Sequence, residues 1–424
     1  MDFKLLAYRE HQNETFPNDS SLLVEQRYET LFNKIRNSQD VSLPCYIIKR
    51  TETNYKIETS YFIGVDWIVP ERAAICISPK LNKQNSEVDF IKMLFSCLRH
   101  SDLATEINEL FEVKWNEPPI EIEQKRDLLT PFLVVEFLSL IKTIVRKGLK
   151  KSYYRVEQNL NSRVKGKISV GKTIKQNLLQ NKNLYTVCTF EEYGLNNLEN
   201  RLLKKALTFV KRYLPNYTQL ASHRELTDTF NFINPAFHTV SDEIELSEIK
   251  STKVNAFYKE YKPAMDLAKL ILKRFGYNIS NTKKQIIKTP PFWIDMSKLF
   301  ELYALGLLKD RFQKQVQFQF KGSGSELDFL LNHPEFKMVI DTKYKLKYLN
   351  GVNHEDIRQV SGYARLEKVY ETLGIEKGKT IDCLIIYPDQ ENGFDNLEEI
   401  NLRDTVIPKY YDIFKLGLKL PTIN

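Results

Sequence analysis

A chain of 424 residues is too long for one comfortable hydrophobic core, so two or three domains are expected. With 42% hydrophobic and 12% aromatic residues it can bury a large apolar surface, which excludes a disordered chain. Lys and Arg outnumber Asp and Glu by 62 to 54, and the resulting +8 suits a polyanionic partner without requiring one. Five scattered cysteines (Cys45, Cys76, Cys97, Cys188 and Cys383) form no CxxC pair, which argues against a disulfide framework or structural zinc and for a reducing compartment. The opening MDFKLLAYREHQNE turns polar too early for a signal peptide. The longest apolar stretch, Phe132 to Val145, is short for a membrane span and is interrupted by Glu136 and Lys142. The expectation is a cytoplasmic protein with no membrane contact.

Along the chain, residues 1 to about 100 read mainly as strands. Pro44 to Ile48, Tyr55 to Ile63 and Ala73 to Ile77 are short β-branched or aromatic runs between turn-forming or charged residues, and a helix is expected from Val88 to Leu98. From Leu128 to about Arg274 helical spacing dominates, in Phe132, Val135, Leu138 and Ile141 and again in Leu202, Leu203, Ala206, Leu207 and Val210. A strand-like patch, Arg163 to Val170, lies between these helices, and another helix runs through Ala264 to Phe275. The breakers Thr289–Pro290–Pro291 mark a domain boundary.

The C-terminal third reads as helix, three strands, helix, strand. A helix is expected over Asp295 to Phe312, then an alternating strand, Gln315 to Phe320. Strands Leu327 to Leu331 and Lys337 to Tyr344 follow, then a helix from His354 to Thr372 and a central strand, Ile381 to Tyr387. The fold class is α+β and multidomain: a β-rich N-terminal domain (1–125), a mainly helical middle region (126–288) and a C-terminal α/β domain (289–424).

On this topology the acids converge. Asp341 ends the apolar run Met338–Val339–Ile340, Lys343 stands two residues on and so on the same sheet face, and a hairpin can bring Asp328 opposite Asp341. Two facing carboxylates beside a lysine are costly unless a cation lies between them, and Mg²⁺ takes oxygen ligands while keeping waters. Such a site polarises a phosphodiester and activates water, with Lys343 orienting that water or stabilising developing charge. Glu301 on the preceding helix offers a third carboxylate, and Gln359 on the following helix can position water or phosphate. Glu326 shares the face of Asp328 and competes for its assignment.

This arrangement resembles the PD-(D/E)xK nuclease superfamily and, more narrowly, the McrC family, the nuclease subunit of modified-cytosine restriction systems. The resemblance spans about residues 60 to 390. It includes Tyr61–Phe62–Ile63–Gly64, Ile77–Ser78–Pro79–Lys80, Gly148 to Tyr153 and Arg163 to Ile168. It continues through Cys188 to Tyr193, Asn200 to Lys204, Met296 to Glu301, Asp341–Thr342–Lys343–Tyr344–Lys345 and Gln359 to Tyr363. One departure is Leu327, where the family often has proline before the first acid. The resemblance implies a restriction-endonuclease-like C-terminal domain that cuts DNA with Mg²⁺, for which Mn²⁺ can substitute. Asp328, Asp341 and Glu301 would then hold metal, and Lys345, Arg358 and Tyr363 would contact DNA. It also implies a GTP-hydrolysing AAA+ partner contacted by the N-terminal and middle regions. A non-cleaving activator of that motor and a stand-alone repair nuclease are the competing readings.

Gly166 to Thr173 satisfies the Walker A pattern, but no buried strand precedes it, and Ile168 and Val170 alternate like a strand themselves, so no nucleotide is expected on this chain. His100, His223, His238, His333 and His354 lack metal-ligand spacing. The basic run Arg146 to Lys151 fits a solvated helix end as well as a phosphate contact, and Trp115 and Trp293 fit a core better than a base-stacking platform.

Overall fold

The computed structural model describes residues 4–17, 29–36, 39–50, 54–82, 87–98, 110–123, 127–213, 224–245, 256–276, 286–322, 325–349 and 351–423. The sequence expectations for His100 and His223 lie outside them. The chain divides into two compact units, Met1–Val135 with Lys283–Asn424, and Glu136–Thr282. This differs from the three consecutive domains expected above, because the chain leaves the first unit and then returns to it.

The first unit begins with strands β1 (Lys4–Arg9), β2 (Asn13–Pro17), β3 (Glu29–Arg36), β4 (Gln39–Arg50) and β5 (Asn54–Thr59). Next come β6 (Phe62–Val69), β7 (Ala73–Ser78), β8 (Glu87–Val88), helix α1 (Phe90–Leu98), β9 (Phe111–Val113) and β10 (Ile120–Glu123). Helix α2 (Leu129–Lys147) carries the chain across the boundary into the second unit. Strands β2, β5, β4 and β3 form one antiparallel sheet, packed through Tyr46, Tyr55 and Ile57 against Phe62, Ile75 and Trp293.

The second unit holds β11 (Ser152–Asn161), β12 (Lys167–Ile168), α3 (Val170–Gln176) and β13 (Tyr185–Gly194). It continues with α4 (Leu198–Tyr213), α5 (Arg224–Ile233) and α6 (Tyr261–Gly276). The helical reading missed β11 and β13, which pair antiparallel over their whole length. Their exposed, Glu-, Gln- and Asn-rich faces leave little apolar alternation to read; only Val156, Leu160, Cys188 and Phe190 gather as a small core. The Walker-like residues Lys167 and Ile168 are paired with Thr189 and Cys188, and Lys172 is held by Glu157 at 2.6 Å. This backbone is a sheet edge followed by a short helix, not a loop wrapped around phosphate. In the basic run, Lys147 pairs with Glu260, and Lys150 with Glu199 at 2.6 Å.

On its return the chain forms β14 (Ile286–Thr289), β15 (Phe292–Asp295) and α7 (Met296–Phe312). The double proline therefore sits between two strands, shortly after the chain re-enters the first unit at Lys283. Strand β15 enters the sheet ordered β1-β7-β6-β15-β9 and pairs antiparallel with β6. Gly64 is obligatory there: its φ is +152°, and a Cβ would stand 2.0 Å from the Phe292 carbonyl oxygen. Gly306 serves α7 in the same way, since a Cβ would come within 2.9 Å of the Ser96 carbonyl of α1.

The remaining elements are β16 (Val316–Gly322), β17 (Ser325–Asn332), β18 (Lys337–Thr342), α8 (His354–Tyr363), α9 (Glu367–Leu373), β19 (Asp382–Pro388), β20 (Ile413–Leu418) and β21 (Thr422–Ile423). Their sheet runs β16-β17-β18-β19-β20, antiparallel across the first three strands and parallel across the last three. The single helix expected over His354 to Thr372 is two, because the backbone turns at Ala364–Leu366 so that Val360, Val369 and Leu373 all reach the core with Val339, Cys383 and Ile385. All five cysteines are free thiols. Among the described residues no helix is long and apolar enough to cross a membrane.

Helix α2 is buried on nearly every side, and that burial takes in Glu136, which is 2% exposed and has no partner for Oε2. Burial raises its carboxyl to about 8. The folded state thus keeps a proton that the unfolded chain releases near its ordinary value, and stability falls as pH rises from about 4.5 to about 8. Glu136→Gln should raise the urea midpoint at pH 8 by the equivalent of about 3 kcal/mol, with the gain fading toward pH 4.5. A pH-independent difference between variant and parent contradicts this.

Candidate functional site

Register brings the acids together. The ladder between β17 and β18 pairs Leu330 with Val339 and Phe329 with Ile340, so the next step sets Asp328 level with Asp341. Asp328 is held by one neighbour: the Thr342 N–H and the Thr342 hydroxyl both donate to its Oδ2 at 2.7 Å. On the other side of β18, Asp341 is level with Ile385 of the parallel strand β19. The apolar run that precedes it places this carboxylate in the interior, 1% exposed.

Lys343 reaches back along β18, and its Nζ lies 2.6 Å from Asp341 Oδ2. The same Oδ2 is nonetheless buried without a hydrogen bond of acceptable direction. Burial, and then the charge of Asp328, push the Asp341 carboxyl up to about 7 against the pull of Lys343. Burial lowers the Lys343 ammonium, but Asp341 and Asp328 outweigh it and leave the group above its ordinary value. Holding Asp341 ionised against this environment costs on the order of a few kcal/mol.

Glu301 projects from α7, whose N-cap Asp295 accepts from the Lys298 N–H at 2.9 Å. Its carboxyl is raised to about 8, by burial first and then by the charge of Asp328. Lys298 Nζ lies 3.3 Å from Glu301 Oε1 and works in the opposite direction.

The other sequence candidates are placed differently. Gln359 donates to the Tyr363 hydroxyl one helical turn along α8, at 2.7 Å. Lys345 is drawn to Asp356 at 2.7 Å, and Arg358 is exposed on α8. Glu326 stands 3.8 Å from Lys321 across β16, which ties it to the strand edge and favours Asp328 as the first acid. His354 Nδ1 lies 2.7 Å from the Tyr410 hydroxyl, and Trp293 is a core residue whose Nε1 donates to Asp66 at 3.0 Å.

Three contributors escaped sequence reasoning. Thr342 stands between Asp341 and Lys343, and its two donors fix Asp328. Asp356, in the first turn of α8, is 5% exposed, accepts from Lys345 and from the Tyr348 hydroxyl at 2.9 Å, and adds to the rise at Asp341. Lys298, one helical turn before Glu301, is the cation beside it.

Among the described residues no three Asp, Glu, His or Cys side chains stand close enough together to cage a metal ion. Of the three carboxylates expected from sequence, Glu301 pairs with Lys298, Asp328 accepts from Thr342, and the charge of Asp328 raises both Glu301 and Asp341. Two hard-oxygen donors, Asp328 and Asp341, remain level with each other, and one of their buried oxygens lacks a hydrogen bond. That donor set fits a hydrated divalent cation of the Mg²⁺ kind, with water filling the other positions. If it does, Mg²⁺ should raise the Tm of the isolated chain by a few degrees over a chelator control, and Asp341→Asn should abolish that increment. An equal increment in the variant contradicts the assignment.

Comparison with known proteins identifies a family. The sequence model of the family described as "McrBC 5-methylcytosine restriction system component" matches residues 59–388. No curated protein matches. Among solved structures, the chain is similar to one from a Thermococcus gammatolerans half-complex of McrB AAA+ hexamers with bound McrC. That match has 15% identity and a TM-score of 0.42, and covers 98% of this chain and 94% of the other. A second, from the Thermococcus gammatolerans McrBC complex, has 15% identity and a TM-score of 0.29, and covers 72% of this chain and 87% of the other.

Proposed function

The chain belongs to the McrBC 5-methylcytosine restriction system component family, and from that premise we propose that it is the Mg²⁺-dependent endonuclease subunit of a GTP-dependent restriction complex. The observation that carries this reading is the pair Asp328 and Asp341 on adjacent strands, with Lys343 at 2.6 Å from the buried member. Its substrate is foreign, modified DNA, and its partner is a GTP-hydrolysing AAA+ motor of the McrB kind. The C-terminal sheet with its helices serves as the PD-(D/E)xK nuclease element.

Asp328 and Asp341 would hold the cation, and Glu301, whose carboxyl burial and Asp328 push up to about 8, adds a further oxygen donor at the edge of their site. When bound, Mg²⁺ polarises the scissile phosphate and acidifies a coordinated water. Thr342 keeps Asp328 turned toward its partner. Lys343 favours the ionised form of Asp341 and presents an ammonium to charge developing on the phosphate oxygens. Gln359 and Tyr363, linked on one face of α8, orient water or a phosphate at the rim. Arg358 and Lys345 supply positive charge to the DNA backbone.

In the assembled complex with DNA, GTP and Mg²⁺, Asp341→Ala should lower cleavage by about a thousandfold or more. Lys343→Ala should lower it by about a hundredfold. Both variants should bind the motor and stimulate its GTPase as the parent does. Motor stimulation by the parent chain without any DNA cleavage leaves only a non-cutting activator, and metal-dependent nicking by the isolated chain without nucleotide leaves a stand-alone nuclease.

A further inference from the structure

Cleavage chemistry does not account for the contacts of Tyr344. Lys343 leaves β18 with its N–H bonded to the Ile386 carbonyl at 2.8 Å. The next residue, Tyr344, turns inward and is 4% exposed. Its hydroxyl donates to Glu10 Oε2 at 3.1 Å, and its carbonyl accepts from Lys80 Nζ at 2.8 Å. The Lys80 ammonium also lies 3.6 Å from the centre of the tyrosine ring, and the Lys80 backbone N–H donates to the same Glu10 oxygen at 2.9 Å. Phe300, the neighbour of Glu301 on α7, packs on the ring at 5.7 Å between centroids.

A cluster of this kind is expensive to bury. Glu10 is 3% exposed and its Oε1 has no hydrogen-bond partner; burial pushes its carboxyl up and the Lys80 ammonium down. Apolar residues of similar volume would secure a tyrosine ring at lower cost. What they lack is direction. Here an ammonium on the carbonyl and a carboxylate on the hydroxyl set both the height and the rotation of Tyr344. Lys343 is the residue suspended between that anchor and Ile386.

We infer that Glu10 and Lys80 are positioning residues for DNA cleavage, acting through Tyr344 to fix the backbone from which Lys343 reaches Asp341. The inference rests on the nuclease reading above. It ties the β1–β7 edge of the first sheet, some 260 residues away in sequence, to the geometry of the scissile phosphate. Catalytic groups must be held within about half an ångström, and a misplacement near 1 Å costs on the order of a hundredfold in rate.

The test uses the full chain assembled with its motor. Glu10→Leu, and the milder Tyr344→Phe, should lower kcat for cleavage by about tenfold or more, with KM for DNA, motor binding and Tm near those of the parent. Glu10→Gln keeps the acceptor oxygen and should recover most of the rate. Hydrogen exchange should speed up locally at the amides of Lys343, Tyr344 and Lys345 in Glu10→Leu. Parental kcat in both weakened variants, or unchanged exchange at those amides, overturns the inference. So does a rate loss that Gln does not rescue and that only follows a fall in Tm. Asp341→Ala is run alongside: if it cuts like the parent, the nuclease reading itself fails, and the exchange data still decide whether the anchor exists.

Discussion

Two carboxylates facing each other across neighbouring strands, one of them out of reach of solvent, are the constraint around which the C-terminal sheet is arranged. In water such a pair separates or takes up a proton. Here neither acid is free to move away: β17 and β18 are locked in register through Leu330–Val339 and Phe329–Ile340, and Asp341 sits at the end of a run whose three preceding residues are wholly buried. The repulsion is met by Lys343 and left partly uncompensated at Asp341 Oδ2. Buried carboxylates perturbed in this way by a specific charged neighbour cluster at functional sites.

The surrounding fold serves that constraint. The sheet changes from antiparallel to parallel at β18, so the strand carrying Asp341 has the hairpin partner that supplies Asp328 on one side and the buried strand β19 on the other. Helices α8 and α9 cover the face that carries Val339, Cys383 and Ile385, and α8 brings Asp356 to within the field of Asp341. Helix α7 contributes Glu301, and its close approach to α1 is possible because residue 306 is glycine. The polar residues nearest the acids are each braced by a second polar group, as an accurately placed site requires.

Much of this was legible in the sequence. The apolar run into Asp341, the lysine at two residues' distance and the short hairpin back to Asp328 follow from the alternation of a strand, and that alternation is the geometry observed. What stayed hidden has a common physical origin. Strand β11 is exposed on most of its length and β13 is buried only at Val187, Cys188 and Phe190, so burial writes little apolar period into them. The two prolines at 290 and 291 look like a linker, yet they join two paired strands whose partners lie far earlier in the chain. Carboxylate type and element order are visible in sequence, whereas the lysine beside Glu301 and the threonine donors on Asp328 declare themselves only in three dimensions. Glu10 and Lys80 are the extreme case, since nothing local marks them as neighbours of Tyr344.

The account stands or falls on whether the facing acids bind one divalent ion between them. Crystals of the chain grown with Mn²⁺ and measured at the manganese absorption edge address this directly. A single anomalous peak within bonding distance of both Asp328 and Asp341, beside the Lys343 ammonium, is the predicted result. Well-ordered carboxylates turned away from each other, with no peak between them, would contradict it.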